Sequence, residues 1–386
     1  MTQPPQSGPW GAQPPQQPGN WQGYPGGQPG PGPQGQWNPQ QQWPNPAPAP
    51  QKKGPLKWVL GATALVAVIA VTAVVAVSCA GGNGTNNGGG GGNTSTSGSK
   101  SDIASANDTG PVSVITEDRS CAPWQPINDT LANSVKNGWD KRDTSIPATG
   151  WTPETRALYQ SAAEAFQKSA DQTVPMIKLT SHRVMRELYQ QYVAYIRAFV
   201  DHVPNYTPND NYLVSTATII GMALTNICQA AKSGSAAARG PLVSSAPSPS
   251  KIAPIGDPDK PVRFLMESDQ GCSDWTTILD RFQADPAYEK WNKEDTNIPA
   301  SDWSPEYRAE NDAIKPVLTR ISEEMTQLGR KSTNPIVEDF AILAAQYSRA
   351  YVEGMPTYTS ADTDLYNVFW RVSGAISSAC KATGAS

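Results

Sequence analysis

Trp139-Asp-Lys-Arg-Asp-Thr-Ser-Ile-Pro-Ala-Thr-Gly-Trp151-Thr-Pro-Glu-Thr-Arg156 returns 152 residues later as Trp291-Asn-Lys-Glu-Asp-Thr-Asn-Ile-Pro-Ala-Ser-Asp-Trp303-Ser-Pro-Glu-Tyr-Arg308. The same offset relates Arg197 to Arg349, Pro204 to Pro356, Tyr206 to Tyr358, Leu213 to Leu365 and Cys228 to Cys380. The back of the chain is one module built twice, residues 113–232 and 264–386, joined by an Ala/Ser/Pro stretch over 233–263.

Each module reads as helix. Met185, Leu188, Tyr192, Tyr195, Phe199 and Val203 recur every three or four residues, and Val337, Phe340, Ala344, Tyr347 and Tyr351 repeat the stripe. Leu213, Ala217, Ile220, Leu224 and Ile227 give a further stripe, matched by Leu365, Phe369, Val372, Ile376 and Ala379. Helices near 124–139, 153–174, 182–203 and 209–231, with short connections, predict an antiparallel four-helix bundle. The fold class is therefore all-α, with two tandem bundles. Each opens on Cys-x-x-Trp (Cys121/Trp124, Cys272/Trp275) and ends on a Cys in the last helix (Cys228, Cys380). Four Cys allow three pairings, and duplication favours the one that repeats, Cys121–Cys228 with Cys272–Cys380.

The conserved-looking elbow of the repeat has local work to do. Thr152 and Ser304 suit an N-cap, Pro153 and Pro305 the first helical position, and Glu154 and Glu306 the positive end of the helix dipole. Trp151 and Trp303 precede the cap, where Arg156 and Arg308 can stack on the indoles. The functional alternative is a ligand-binding patch made of Asp143, Trp151 and Arg156, repeated as Asp295, Trp303 and Arg308.

Composition divides the rest. Residues 1–55 are rich in Pro, Gln, Gly and Asn, with no charge before Lys52, and Trp10, Trp21, Tyr24, Trp37 and Trp43 are scattered through them. Such a segment has too little aliphatic surface to offset the entropy of ordering, and it is read as a disordered tail that can meet a cytosolic partner. Residues 56–80 carry an uncharged Ala/Val-rich run from Trp58 to Val77, about the 20 residues a helix needs to cross hydrocarbon. Lys52, Lys53 and Lys57 precede it and the next Lys or Arg is Lys100, so the positive-inside rule puts the tail in the cytoplasm and the modules outside. The run is long for a cleaved signal peptide. Ala76-Val77-Ser78-Cys79 departs from a lipoprotein processing box, with Ala in place of Leu. Residues 81–112 read as a flexible Gly/Asn/Ser/Thr linker, and an extracytoplasmic setting permits the disulfides.

Chemical signatures are sparse. The two His, His182 and His202, have Asn334 and Gly354 as counterparts, which excludes a metal or acid–base role shared by both modules. No zinc-protease helix, nucleophile elbow, Walker loop or dinucleotide glycine pattern occurs, so no catalytic, cofactor or metal residue is assigned. Between Cys121 and Lys232 there are 10 Lys/Arg and 9 Asp/Glu; between Cys272 and Lys381 there are 11 and 17. No basic stripe favours nucleic acid.

The layout resembles the proline-rich single-pass membrane proteins of mycobacteria and related actinobacteria, both in its compositional zones and in Trp139–Glu154. The resemblance implies envelope localisation and carries no functional residues. The expectation is a membrane-anchored binding or scaffolding protein, held by 56–80 in the bilayer, whose modules meet an envelope protein or ligand. The alternative is a hydrolase or transferase with carboxylates at the seam between modules, which calls for Asp/Glu of raised pKa in a pocket.

Overall fold

A computed structural model of the chain describes residues 102–384. The tail, the apolar run at 56–80, Cys79 and most of the Gly-rich stretch lie outside the described residues. The first module holds α1 (Cys121–Val135), α2 (Pro153–Leu179), α3 (Arg183–His202) and α4 (Asn211–Ser233). A short α5 (Ser235–Arg239) follows. The second module holds α6 (Gly271–Gln283), α7 (Pro286–Trp291), α8 (Pro305–Lys331), α9 (Pro335–Gly354) and α10 (Thr363–Ala382). No strand occurs among the described residues.

Capping chemistry starts the long second helices. Thr152 Oγ1 accepts from the Thr155 amide at 3.2 Å and Ser304 Oγ from the Tyr307 amide at 3.1 Å, with proline next in each case. These helices outrun the sequence expectation: α2 continues through Pro175 to Leu179. The first helix differs between copies. In the second module Asp285 caps a new turn at Pro286, so the equivalent of α1 is split into α6 and α7.

Within each module the helices close a ring, α1–α2–α3–α4 and α6–α8–α9–α10. Cys121–Cys228 and Cys272–Cys380 bridge the start of the first helix to the end of the last, over separations of 107 and 108 residues. By the chain-entropy model, closing a loop that long contributes about 4–5 kcal/mol. Trp124 fills the first core, edge-on to Tyr189 and Tyr192, with its Nε1 donating to Thr225 Oγ1 at 3.1 Å. Trp275 takes the equivalent place and donates to the Ser373 carbonyl at 3.0 Å.

The modules dock on each other. Helix α4 packs along α10, its own counterpart, and α3 meets α9. The bonds across this seam are reciprocal. Asn226 Nδ2 donates to Asp364 Oδ1 at 3.0 Å, and the residues 152 positions away from each, Ser378 and Tyr212, bond Oγ to carbonyl at 3.3 Å. Reciprocity of this kind defines a pseudo-two-fold interface. Pro208–Ser233 is long and apolar enough to span a membrane, but 72% of its apolar window is buried inside the protein. That apolar surface serves as core.

Both connecting segments are packed against the modules. Residues 102–112, assigned above to the flexible linker, place Ile103 and Val112 in the interior. Just beyond, Ile115 bonds through its amide to Tyr347 Oη at 3.2 Å, tying the leading segment to the second module. The 233–263 stretch is a strap bound on both sides. Gln190 and Gln191 of α3 donate to the Ile255 and Val262 carbonyls, while Arg330 of α8 donates to those of Pro247 and Ser248. The strap ends at Phe264, whose ring lies edge-on between Tyr195 of α3 and Phe340 of α9, at 5.7 and 5.5 Å.

Candidate functional site

The two elbow indoles face inward, while Arg156 is half-buried and Arg308 exposed. Trp151 is 9% exposed; its Nε1 donates to the Ile146 carbonyl at 2.9 Å, and its ring stacks on Tyr159 at 4.0 Å. Arg156 lies 5.6 Å from the Trp151 ring and donates to the Ala148 carbonyl at 2.8 Å. Trp303 and Arg308 repeat this with the carbonyls of Ile298 and Ala300, at 3.0 and 2.9 Å. Asp143 and Asp295 are exposed, each turned back onto its own loop through Ser145 and Asn297. The indoles stabilise the turn, and their polar edges are already bonded.

The two histidines also hold local structure. His182 Nε2 donates to the Glu117 carbonyl at 3.0 Å, and His202 Nδ1 pairs with Asp210 at 2.6 Å. In the second module Gly354 replaces His202. A Cβ there would sit 3.0 Å from Arg239 Nε, so the glycine makes room for the α5 arginine. Arg239 then pairs with buried Asp362, the equivalent of Asp210, at 3.0–3.1 Å. The duplicated caps have thus diverged, one closed by its own histidine and the other by the strap.

The densest polar chemistry lies where α3 meets α9. Arg183 grips Asp339 in a bidentate pair, Nε to Oδ2 at 2.7 Å and Nη2 to Oδ1 at 3.1 Å. Its Nη1 donates to the Asp108 and Gly110 carbonyls, both at 3.0 Å. Burial disfavours the Arg183 charge, but the hydrogen bonds and charge of Asp339 more than offset this and raise its pKa. Arg186 Nη1 donates to Ser105, and burial lowers the Arg186 pKa. Glu187, one turn on from Arg183, is 1% exposed and occupies the position equivalent to Asp339. Burial, and then the neighbouring Asp339 charge, push its carboxyl well above the usual glutamate range.

Sequence pattern does not expose this cluster, because Arg183 and Arg186 have Pro335 and Glu338 as counterparts. The available signal is the acid kept at both 187 and 339 in the repeat. A cavity of about 380 Å³ opens beside the cluster, lined by Asn107, Asp108, Ser113, His182 and Arg183 among others. Neither it nor a groove of about 650 Å³ along α2, near Glu164 and Asp171, is lined by Glu187 or Asp339. Among the described residues no group of three or more His, Cys, Asp or Glu is placed to hold a metal ion.

A family model described as "Mycobacterial ESX-1 associated protein" matches residues 103–384. The chain belongs to that family. The match begins at Ile103 and runs through the leading segment, both modules and the strap. The match therefore covers both modules and not a single bundle. The chain is also 41% identical over 345 residues to an uncharacterised protein of Mycolicibacterium smegmatis (strain MKD8), covering 89% of this chain and 91% of that one. No solved structure matches. Family membership gives a secretion-system-related role and supports an association with the cell envelope.

Proposed function

We propose that this chain is a membrane-anchored scaffold or binding component of the mycobacterial envelope with an ESX-1-related task. Residues 56–80 hold it in the bilayer, the tail 1–55 lies on the cytoplasmic side, and the docked modules lie outside. The observation that carries this reading is the fusion of two disulfide-closed bundles along α4 and α10 into one body, strapped on both sides. Such a body presents a fixed surface at low conformational cost, as an assembly component needs. Disulfides persist outside the cytoplasm, in keeping with the lysine bias before the apolar run.

The catalytic alternative gains one feature, since acidic side chains do meet at the seam. Those carboxyls are enclosed, and Asp339 is already paired with Arg183. In this reading they hold the modules together and act on no substrate. The experiment is a mycobacterial strain lacking the chain, with culture filtrates compared for proteins exported through ESX-1. Export should fall and recover with the full chain, but not with a chain lacking residues 56–80. Unchanged export in the deletion strain would contradict the reading.

A further inference from the structure

We propose that Glu187 is held as a neutral carboxyl whose O–H bonds to Asp339 across the seam, and that this makes module docking sensitive to pH. Besides Asp339, Glu187 has only the Arg186 guanidinium beside it, at a loose 3.9 Å. Neither of its carboxyl oxygens has a hydrogen-bond donor, although both are buried. The Arg183 donors point to Asp339, Asp108 and Gly110. Arg186 turns Nη1 to Ser105, its Nε is without a partner, and its Nη2 stands 3.9 Å from Glu187 Oε1, beyond hydrogen-bond range.

An ionised carboxylate in that position would be buried with no donor within hydrogen-bond range, which is unfavourable even beside Arg186. A neutral carboxyl has one O–H to give, and Asp339 is the acceptor within reach. The charges facing the group are Arg183 and Arg186 from α3, Asp339 from α9 and Asp108 from the leading segment through Arg183. Glu338, the next acid on α9, is occupied by Arg330 and Ser250. With Glu187 neutral, the Arg183–Asp339 pair stays balanced; ionising Glu187 sets a second negative charge against Asp339 across the α3–α9 contact.

The linkage sign follows from the raised pKa. The folded chain holds this proton more tightly than the unfolded chain, so the stabilisation is complete below the ordinary glutamate range. It is lost as pH rises through the raised value. By reciprocity, anything that separates α3 from α9 releases the proton.

The test uses the full chain in detergent and the isosteric variant Glu187→Gln, whose amide can donate to Asp339 without titrating. Infrared difference spectra at pH 7 should show a protonated carboxyl band in the wild type that E187Q lacks. Thermal midpoints of the wild type should fall with rising pH. E187Q should remove that part of the slope and match or exceed the wild type at alkaline pH, with shifts on the order of 4 °C per tenfold change in the folding equilibrium. Hydrogen exchange in α3 and α9 should rise with pH beyond its intrinsic dependence in the wild type alone. A missing carboxyl band, or an E187Q that is less stable at every pH with an unchanged slope, would overturn the proposal.

Discussion

Asn226 of α4 bonds to Asp364 of α10, and the counterparts of these residues, Ser378 and Tyr212, bond in the reverse direction across the same seam. The duplication has therefore produced two bundles that dock through the same pair of helices. The carboxyl at 364 titrates at about 6, because burial raises it and the Asn226 bond offsets burial only in part.

Replacing Asp364 with Asn should remove one pH-dependent component of stability. The folded-state pKa is raised, so the contribution of Asp364 to stability falls as pH increases from the ordinary Asp value to about 6, then levels off. The full effect is at most roughly 3 kcal/mol, set by about two pKa units. Urea denaturation of the wild type and D364N between pH 4 and 8 reads it directly. A variant with the same slope as the wild type contradicts the assignment.

Arg239→Ala should cost far more than His202→Ala. Asp362 is 1% exposed and loses its cation in the first variant, whereas His202 is 52% exposed at its side chain and its loss leaves Asp210 still bonded by the Thr207 amide and hydroxyl. Removing one partner of a buried pair typically costs about 3–5 kcal/mol, against about 1 kcal/mol or less at an exposed pair. Denaturant midpoints of the two variants, measured at pH 7, should separate accordingly. Equal losses would contradict the difference between the caps.

Trp151→Ala should destabilise by about 3–5 kcal/mol, as expected for a buried indole that stacks on Tyr159. Trp303→Ala should behave alike, because the elbow is repeated. The comparison uses thermal midpoints together with helix content by circular dichroism. A stable, fully helical W151A would return the indole to a surface role.

Much of this fold is legible in the residues themselves. The 152-residue offset carries the duplication, the Cys pairing and the elbow caps, because each depends on neighbours close in sequence or on the repeat. The seam is not legible, for a physical reason. Glu187, Gln190 and Gln191 look like a solvated face when one bundle is considered alone, yet the strap and α9 cover them. Period counting finds the stripe that faces the same module and is silent about a second contact made through polar side chains. Pro175 similarly suggests an early helix end, but α2 carries it inside and continues to Leu179. At the elbow, the carbonyls of Ile146 and Ala148, set by the turn, take up the donors of Trp151 and Arg156, a local pairing that residue types alone do not reveal.

Cross-linking of the full chain carrying Asn226→Cys and Asp364→Cys tests the docked architecture most directly. With a short thiol-specific linker and peptide mapping under non-reducing conditions, the account predicts an intrachain link between α4 and α10, with Cys121–Cys228 and Cys272–Cys380 intact. Links found only between chains, or a native bridge joining Cys121 to Cys272 or Cys380, would contradict it.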